Sequence, residues 1–273
     1  MTISWPATEL SVLLWAETIL AWVLCEYVLL GNQPIVEEMG SKTRAGLAKN
    51  WERRAAGRAA AMLLSLFLVH SWTGWRSLIL MLVLPVLAVS LPFLRVALAT
   101  RNKALGAELE LTTNAVVVAV SGLLIGNPEA VPLRRLVQLP VSPNHLATVL
   151  LIAAILAFLA TGSTHLVRGV LARVDAMPLK GSEARDPATE QLDIKEYNRG
   201  RVIGVIERII MTVVVAVGAY AALMFLIGAK GLIRSNELTK HEFAEYFLIG
   251  TLASAAIAIV FGLMISGIVR VLW

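Results

Sequence analysis

The residues able to do chemistry in this chain are charged side chains set inside apolar stretches. Glu17 and Glu26 lie in an amino-terminal apolar run, Glu110 and Asn114 stand near the start of a later one, and Glu207 and Arg208 sit one to two turns into another. A charge in hydrocarbon costs about 2.5–3.5 kcal/mol on insertion scales, so it pairs, faces protein or snorkels. Carboxylates in such positions mark proton or cation pathways unless a basic group such as Arg208 neutralises them structurally. Glu17 and Glu26 are nine positions apart, about 180° around one helix, so they meet different neighbours. Glu207 and Arg208 differ by about 100° and need not pair with each other. Lys230 and Arg234 share one helix face, and Glu245 opens the next apolar run beside Tyr246. A bridge from Glu245 to Lys230 or Arg234 is geometrically easy across the turn. The plainer role for these groups is anchoring, with Tyr246 in the headgroup belt.

Other chemistry is not signalled. His70, His145, His165 and His241 have no second His, Cys or Asp at a metal-binding spacing. Cys25 is the single cysteine, so an intrachain disulfide and a cysteine-based zinc site are both excluded. No phosphate loop, GxSxG or HExxH occurs, and no aromatic-basic platform for nucleic acid. No metal, cofactor or nucleic-acid partner is expected.

The elements that must position these residues are membrane helices. The chain has 273 residues, 58% hydrophobic and 16% charged, with mean hydropathy +0.75. That is too little charge to clothe a soluble surface, and the apolar runs are too long for barrel strands. The expected fold is all-α: a polytopic bundle of about seven spans, near 9–30, 59–71, 77–99, 105–125, 145–167, 202–228 and 243–269. Span two is short and can extend past Arg58 if that side chain snorkels. Pro85 and Pro92 predict a kink in span three. Thr239 and Glu242 fit a capping box opening span seven. Residues 45–61 can form a surface helix with Trp51 at the interface. Residues 127–144, with four prolines, read as a loop, and 168–201 as the longest polar segment.

Two regions are expected: 1–199, with about five spans and a polar cytoplasmic segment from 168, and 200–273, a two-helix membrane hairpin. The last helix carries Gly250, Ser254, Ala258, Gly262 and Ser266 four residues apart, which makes one smooth face. The helix before it offers Gly200 with Gly204, and Gly218 with Ala222. In lipid, helices gain by close van der Waals contact, so a tight antiparallel pair is predicted. Seven spans divide Lys and Arg 17 to 6 between the two sides, with Arg208 inside a span. The positive-inside rule then places the amino terminus outside and the carboxyl terminus in the cytoplasm.

Three closing segments resemble the carboxyl-terminal pattern of the DUF3307 family of bacterial membrane proteins, whose function is unknown. They are Ile203-Gly204-Val205-Ile206-Glu207-Arg208, Gly228-Ala229-Lys230 with Arg234, and Glu245-Tyr246 followed by Leu248 to Leu252. The resemblance covers about the last quarter of the chain. The family's amino-terminal half carries two histidine–aspartate groupings. Here Trp22 with Glu26-Tyr27, and Glu110 with Asn114, stand as echoes without either histidine. The resemblance implies a bacterial inner-membrane protein.

The expected role is non-enzymatic: a transporter-like or channel-like bundle, or a membrane scaffold. Its partners would be the lipid bilayer and a membrane protein or a second copy. The alternative is a membrane-embedded enzyme that uses a buried Glu on a lipid-like substrate.

Overall fold

The computed structural model describes residues 7–29, 56–67, 74–99, 106–125, 142–174, 194–233, 235 and 241–273. These residues are helical with short turns, and no strand occurs among them. A chain in lipid must satisfy its backbone polar groups internally, and apolar runs without spaced turn residues do so as helices. The helices are α1 (Ala7–Val23), α2 (Ala56–Phe67), α3 (Gly74–Ala99), α4 (Gly106–Ile125), α5 (Pro143–Thr161), α6 (Ser163–Arg173), α7 (Ile194–Ala216), α8 (Tyr220–Ile233) and α9 (His241–Leu272). A π-helical stretch, Leu24–Leu29, extends α1. Three segments are long and apolar enough to cross a membrane: Ser11–Leu29, Pro143–Thr161 and Phe247–Leu272. Ala56–Phe67, Ile79–Leu91, Leu111–Ile125 and Tyr220–Ile233 are shorter apolar helices.

The distribution of side chains suits lipid. Large apolar groups such as Leu82, Leu123, Phe225, Leu232 and Ile233 are exposed, while Glu17, Glu26, Thr18, Ser121, Thr148 and Arg208 are buried. The buried hydroxyls of Thr18, Thr148 and Thr212 donate to carbonyls one turn back at 2.8–2.9 Å, so they leave no polar group loose.

The chain forms two compact units, Met1–Thr161 with Ile268–Trp273, and Gly162–Gly267. In the first, most of α1 is buried, with Val12, Trp15 and Ile19 partly exposed along one stripe. Trp15 Nε1 donates to the Val118 carbonyl at 3.1 Å and Trp22 Nε1 to Asn114 Oδ1 at 3.0 Å. Advance along α1 is retreat along α4, so these two helices are antiparallel. Leu13 and Ala16 cluster with Ala147 and Leu151, while Tyr27 meets Phe158 edge-on with ring centroids 5.2 Å apart. Hence α1 and α5 run parallel. Ile268 and Leu272 pack on that same cluster, and the Trp273 ring lies 5.0 Å from the His145 ring. The end of the chain therefore sits beside the starts of α1 and α5. α3 stays helical through both prolines.

The second unit corrects the expected closing hairpin. The apolar run 202–228 is not one span, because α7 stops at Ala216 and α8 starts at Tyr220. Gly218 adopts φ +76°, a conformation that a Cβ disfavours. Its N–H bonds the Val215 carbonyl at 3.0 Å, and the Ala219 N–H bonds the Val214 carbonyl at 2.9 Å. This is a Schellman stop with Gly218 just past the helix end. The chain folds back there, and α8 returns along α7 far enough for Lys230 to reach Glu207.

The small-residue face of α9 packs on α7, in the opposite sense to that expected. Ser254 meets Arg208, and Gly262 meets Thr212 and Val215, so α7 and α9 are parallel. The intervening α8 reverses the chain once more than a two-helix hairpin would. A Cβ on Gly262 would come within 2.6 Å of Val215 Cβ and 2.8 Å of the Thr212 carbonyl oxygen. Ala258 is fully buried, whereas a Cβ on Gly250 would meet only Leu171 Cδ1 at 3.9 Å. Gly204 and Gly218 face open space, so neither of these two glycines forms the contact. α5 ends at Thr161, earlier than the predicted Val167, and Gly162 separates it from α6. The proposed cap at Thr239, residues 45–55 with Trp51, and most of 127–144 and 175–193 lie outside the described residues.

Candidate polar sites within the helix bundle

The first polar knot centres on Glu26. It occupies the π-helical stretch, whose wider turn departs from the α-helical phase. Glu26 Oε2 accepts from Arg58 Nη1 at 2.8 Å, with the carboxylate side chain 2% exposed and the guanidinium side chain 15%. Arg58 therefore turns inward from α2 rather than snorkelling outward as the sequence reading expects. The same Nη1 donates to the Ala88 carbonyl of α3 at 3.4 Å. That carbonyl would ordinarily accept from the residue four positions on, and this residue is Pro92, which has no N–H. The Cys25 thiol donates to the Arg58 carbonyl at 3.8 Å, a further tie between α1 and α2. Glu17 is also buried, at 1% exposure.

Asn114 supplies the second polar tie in this unit. Its Oδ1 accepts from Trp22 Nε1, and its Nδ2 donates to the Tyr27 hydroxyl. An amide is well suited to this because it carries both a donor and an acceptor. It links two aromatic groups on the buried helix to α4.

In the second unit, adjacent charges take separate partners. Glu207 pairs with Lys230, and the Lys230 ammonium also stands 5.7 Å from the centre of the Phe247 ring. Arg208, 4% exposed, donates from Nε to Ser254 Oγ at 3.1 Å and from Nη1 to Ser163 Oγ. Glu207 attracts Arg208 at longer range, but its carboxylate is bonded to Lys230. Among the described residues, no carboxylate pairs directly with the Arg208 guanidinium.

The predicted candidates are thus distributed over two separate clusters. Glu26 and Asn114 belong to the first unit, and Glu207, Arg208, Lys230 and Ser254 to the second. The observed partner of Lys230 is Glu207, where the sequence reading offers Glu245. Glu245 is exposed on α9. Arg234 lies outside the described residues, as do the side chains of Glu110 and Tyr246. Sequence reasoning gave no inward role to Arg58 and none at all to Ser163. The available signal for Arg58 was a proline that strips the carbonyl four residues earlier of its donor. No group of three or more potential metal ligands occurs among the described residues. Among the described residues, the chemistry on offer is charge neutralisation at helix crossings, plus the Arg208 guanidinium, whose further donors meet no acceptor there. Comparison with protein-family models, curated proteins and solved structures finds no match for this chain.

Proposed function

We propose that this chain is a non-enzymatic, multi-pass protein of a bacterial cytoplasmic membrane that acts as a membrane scaffold rather than as a proton-coupled transporter. The carrying observation is that Glu26 ends on Arg58 and Glu207 on Lys230. A carboxylate that relays protons or cations must exchange its partner during turnover. Here each partner comes from another helix and fastens a crossing. The resemblance to DUF3307 membrane proteins rests on the same segment that holds Glu207, Arg208 and Lys230. Reconstituted into proteoliposomes, the protein is expected to pass no protons under an imposed potential. A flux abolished by Glu26→Gln or Glu207→Gln would overturn the scaffold reading.

The proposed topology has both termini on the outer face. The fold-back at Gly218 returns the chain to the face from which α7 departs, whether or not its tip reaches the far side. This places Lys230, Arg234 and Lys240 with the cytoplasmic loops and Arg270 outside. The basic residues then divide 19 to 4, a steeper bias than the 17 to 6 of seven spans. The packing of Trp273 on His145 and of Leu272 near Leu13 agrees with this arrangement. A periplasm-dependent phosphatase fused after Trp273 should be active and a fluorescent protein fused there dark. The reverse pattern would restore a cytoplasmic carboxyl terminus.

A further inference from the structure

We infer that Arg208, with Ser254 and Ser163, forms a binding site for a phosphate-type oxyanion. The inference rests on the membrane reading of the second unit, and it holds whether that unit serves a scaffold or a transporter. A guanidinium has five N–H donors in a fixed planar fork. The Nε hydrogen goes to Ser254 and one Nη1 hydrogen to Ser163. The second Nη1 hydrogen and both on Nη2 have no acceptor among the described residues. Of the Nη2 hydrogens, one lies on the edge shared with Nη1 and one on the edge shared with Nε, and the planar fork is suited to meeting the oxygens of a phosphate or carboxylate.

Charge accounting leads to the same group. Arg208 is 4% exposed in an apolar helix, and a buried charge requires a partner. Among the described residues, the carboxylate that attracts it, Glu207, is bonded to Lys230, so the trio carries a net positive charge. The serines do not neutralise that charge; they fix the plane of the fork. Ser254 differs from Thr18, Thr148 and Thr212, which donate to their own helices. Its hydroxyl accepts from Arg208, and its own proton has no acceptor among the described residues. It can therefore donate to the oxyanion that the guanidinium holds. Arg208 lies about 9 Å along α7 from Val202, where the apolar run begins, which is within reach of the lipid phosphate layer. Phosphate oxygens could come from a lipid headgroup or from solution, and the site chemistry is the same for both.

The test measures binding to the purified full-length protein in a non-ionic detergent. The probes are inorganic phosphate, a short-chain phosphatidylglycerol and an uncharged short-chain diacylglycerol. At least one phosphate-bearing probe should bind, and Arg208→Lys should weaken it tenfold or more, because an ammonium keeps the charge and loses the fork. Ser254→Ala, a milder change, should weaken it several-fold while helix content and monodispersity stay at wild-type values. It keeps the test decisive if Arg208→Lys does not fold. Binding of phosphatidylglycerol alone identifies a lipid headgroup, and binding of inorganic phosphate identifies a soluble anion; either supports the site. No phosphate-bearing probe binding above the diacylglycerol control would overturn it. So would binding equally strong in Arg208→Lys and Ser254→Ala. Neither result depends on proton flux, so the site and the scaffold reading can fail separately.

Discussion

Arg58 donates to the backbone carbonyl of Ala88, the one carbonyl of α3 whose helical donor Pro92 removes. The same nitrogen holds Glu26 at 2.8 Å, so one side chain satisfies a buried carboxylate and a broken helix. Removing Arg58 takes this ion pair from Glu26 and this side-chain donor from the Ala88 carbonyl. Breaking a buried pair from one side is destabilising by about 3–5 kcal/mol, because the remaining charge is left uncompensated. Arg58→Gln should lower unfolding stability in detergent by an amount of that order. The neutral double variant Glu26→Gln/Arg58→Gln should recover most of the loss. If the double variant were as unstable as the sum of the singles, the pair would not be what holds α1 to α2.

The tight contact of Gly262 with Val215 and Thr212 separates it from Gly250 on the same stripe. A methyl at Gly262 must displace a branched side chain and a backbone carbonyl oxygen, and over-packing of this kind costs about 1–3 kcal/mol. Gly262→Ala should lower the melting temperature, while Gly250→Ala, with only the end of Leu171 at 3.9 Å, should leave it within error. Equal effects at both positions would mean that the stripe is not pressed on α7.

Much of the architecture is legible in the sequence because lipid leaves few choices. Apolar runs become helices, and Pro34 and Asn127 fall between them in sequence, whereas the polar stretch after Val167 begins inside α6 and ends inside α7. The intramembrane charges are visible for the same reason. The fold-back in 202–228 is not visible, because Val213 to Phe225 is apolar on both sides of the turn and composition cannot mark a reversal inside hydrocarbon. Only Gly218 carries a local signal, with Glu207 and Lys230 set almost equally far from it on either side. Reading them as one turn would also have made α7 and α9 parallel. The pairing of Arg58 is hidden differently: it depends on a carbonyl in the next helix, Ala88 of α3, and no local pattern encodes that.

The Glu207–Lys230 pair is the clasp of this fold-back. Both side chains are under one-third exposed, at 30% and 24%, and the pair is worth about 1 kcal/mol on the scale of partly solvated bridges. Lys230→Glu opposes two carboxylates and should reduce stability by more than that amount. The swapped variant Glu207→Lys/Lys230→Glu should restore it towards wild type, as read by denaturant titration in detergent. A swap no better than Lys230→Glu would indicate that α8 does not lie along α7 in solution.

The turn between α7 and α8 should stay inside the membrane rather than emerge on the far side. From Val202 to Ala216 an α-helix rises about 22 Å, and the 14 residues of α8 about 21 Å, against a hydrocarbon core of roughly 30 Å. Backbone polarity does not forbid a turn at that depth. The Val217, Gly218 and Ala219 amides all donate within the turn, to the carbonyls of Val213, Val215 and Val214 at 2.9–3.0 Å. Its outward side chains, Val217 at 73% and Tyr220 at 55% exposed, are apolar or amphipathic. A Val217→Cys variant in a Cys25→Ala background should therefore resist a membrane-impermeant maleimide in intact cells and react after solubilisation. Asn127→Cys, in the loop predicted to face outside, is the control that should react in both states. Labelling of Val217→Cys at the rate of that control would mean that α7 and α8 each cross fully. The chain would still return to its starting face, so the outer position of Trp273 would survive that result while the re-entrant depth would not.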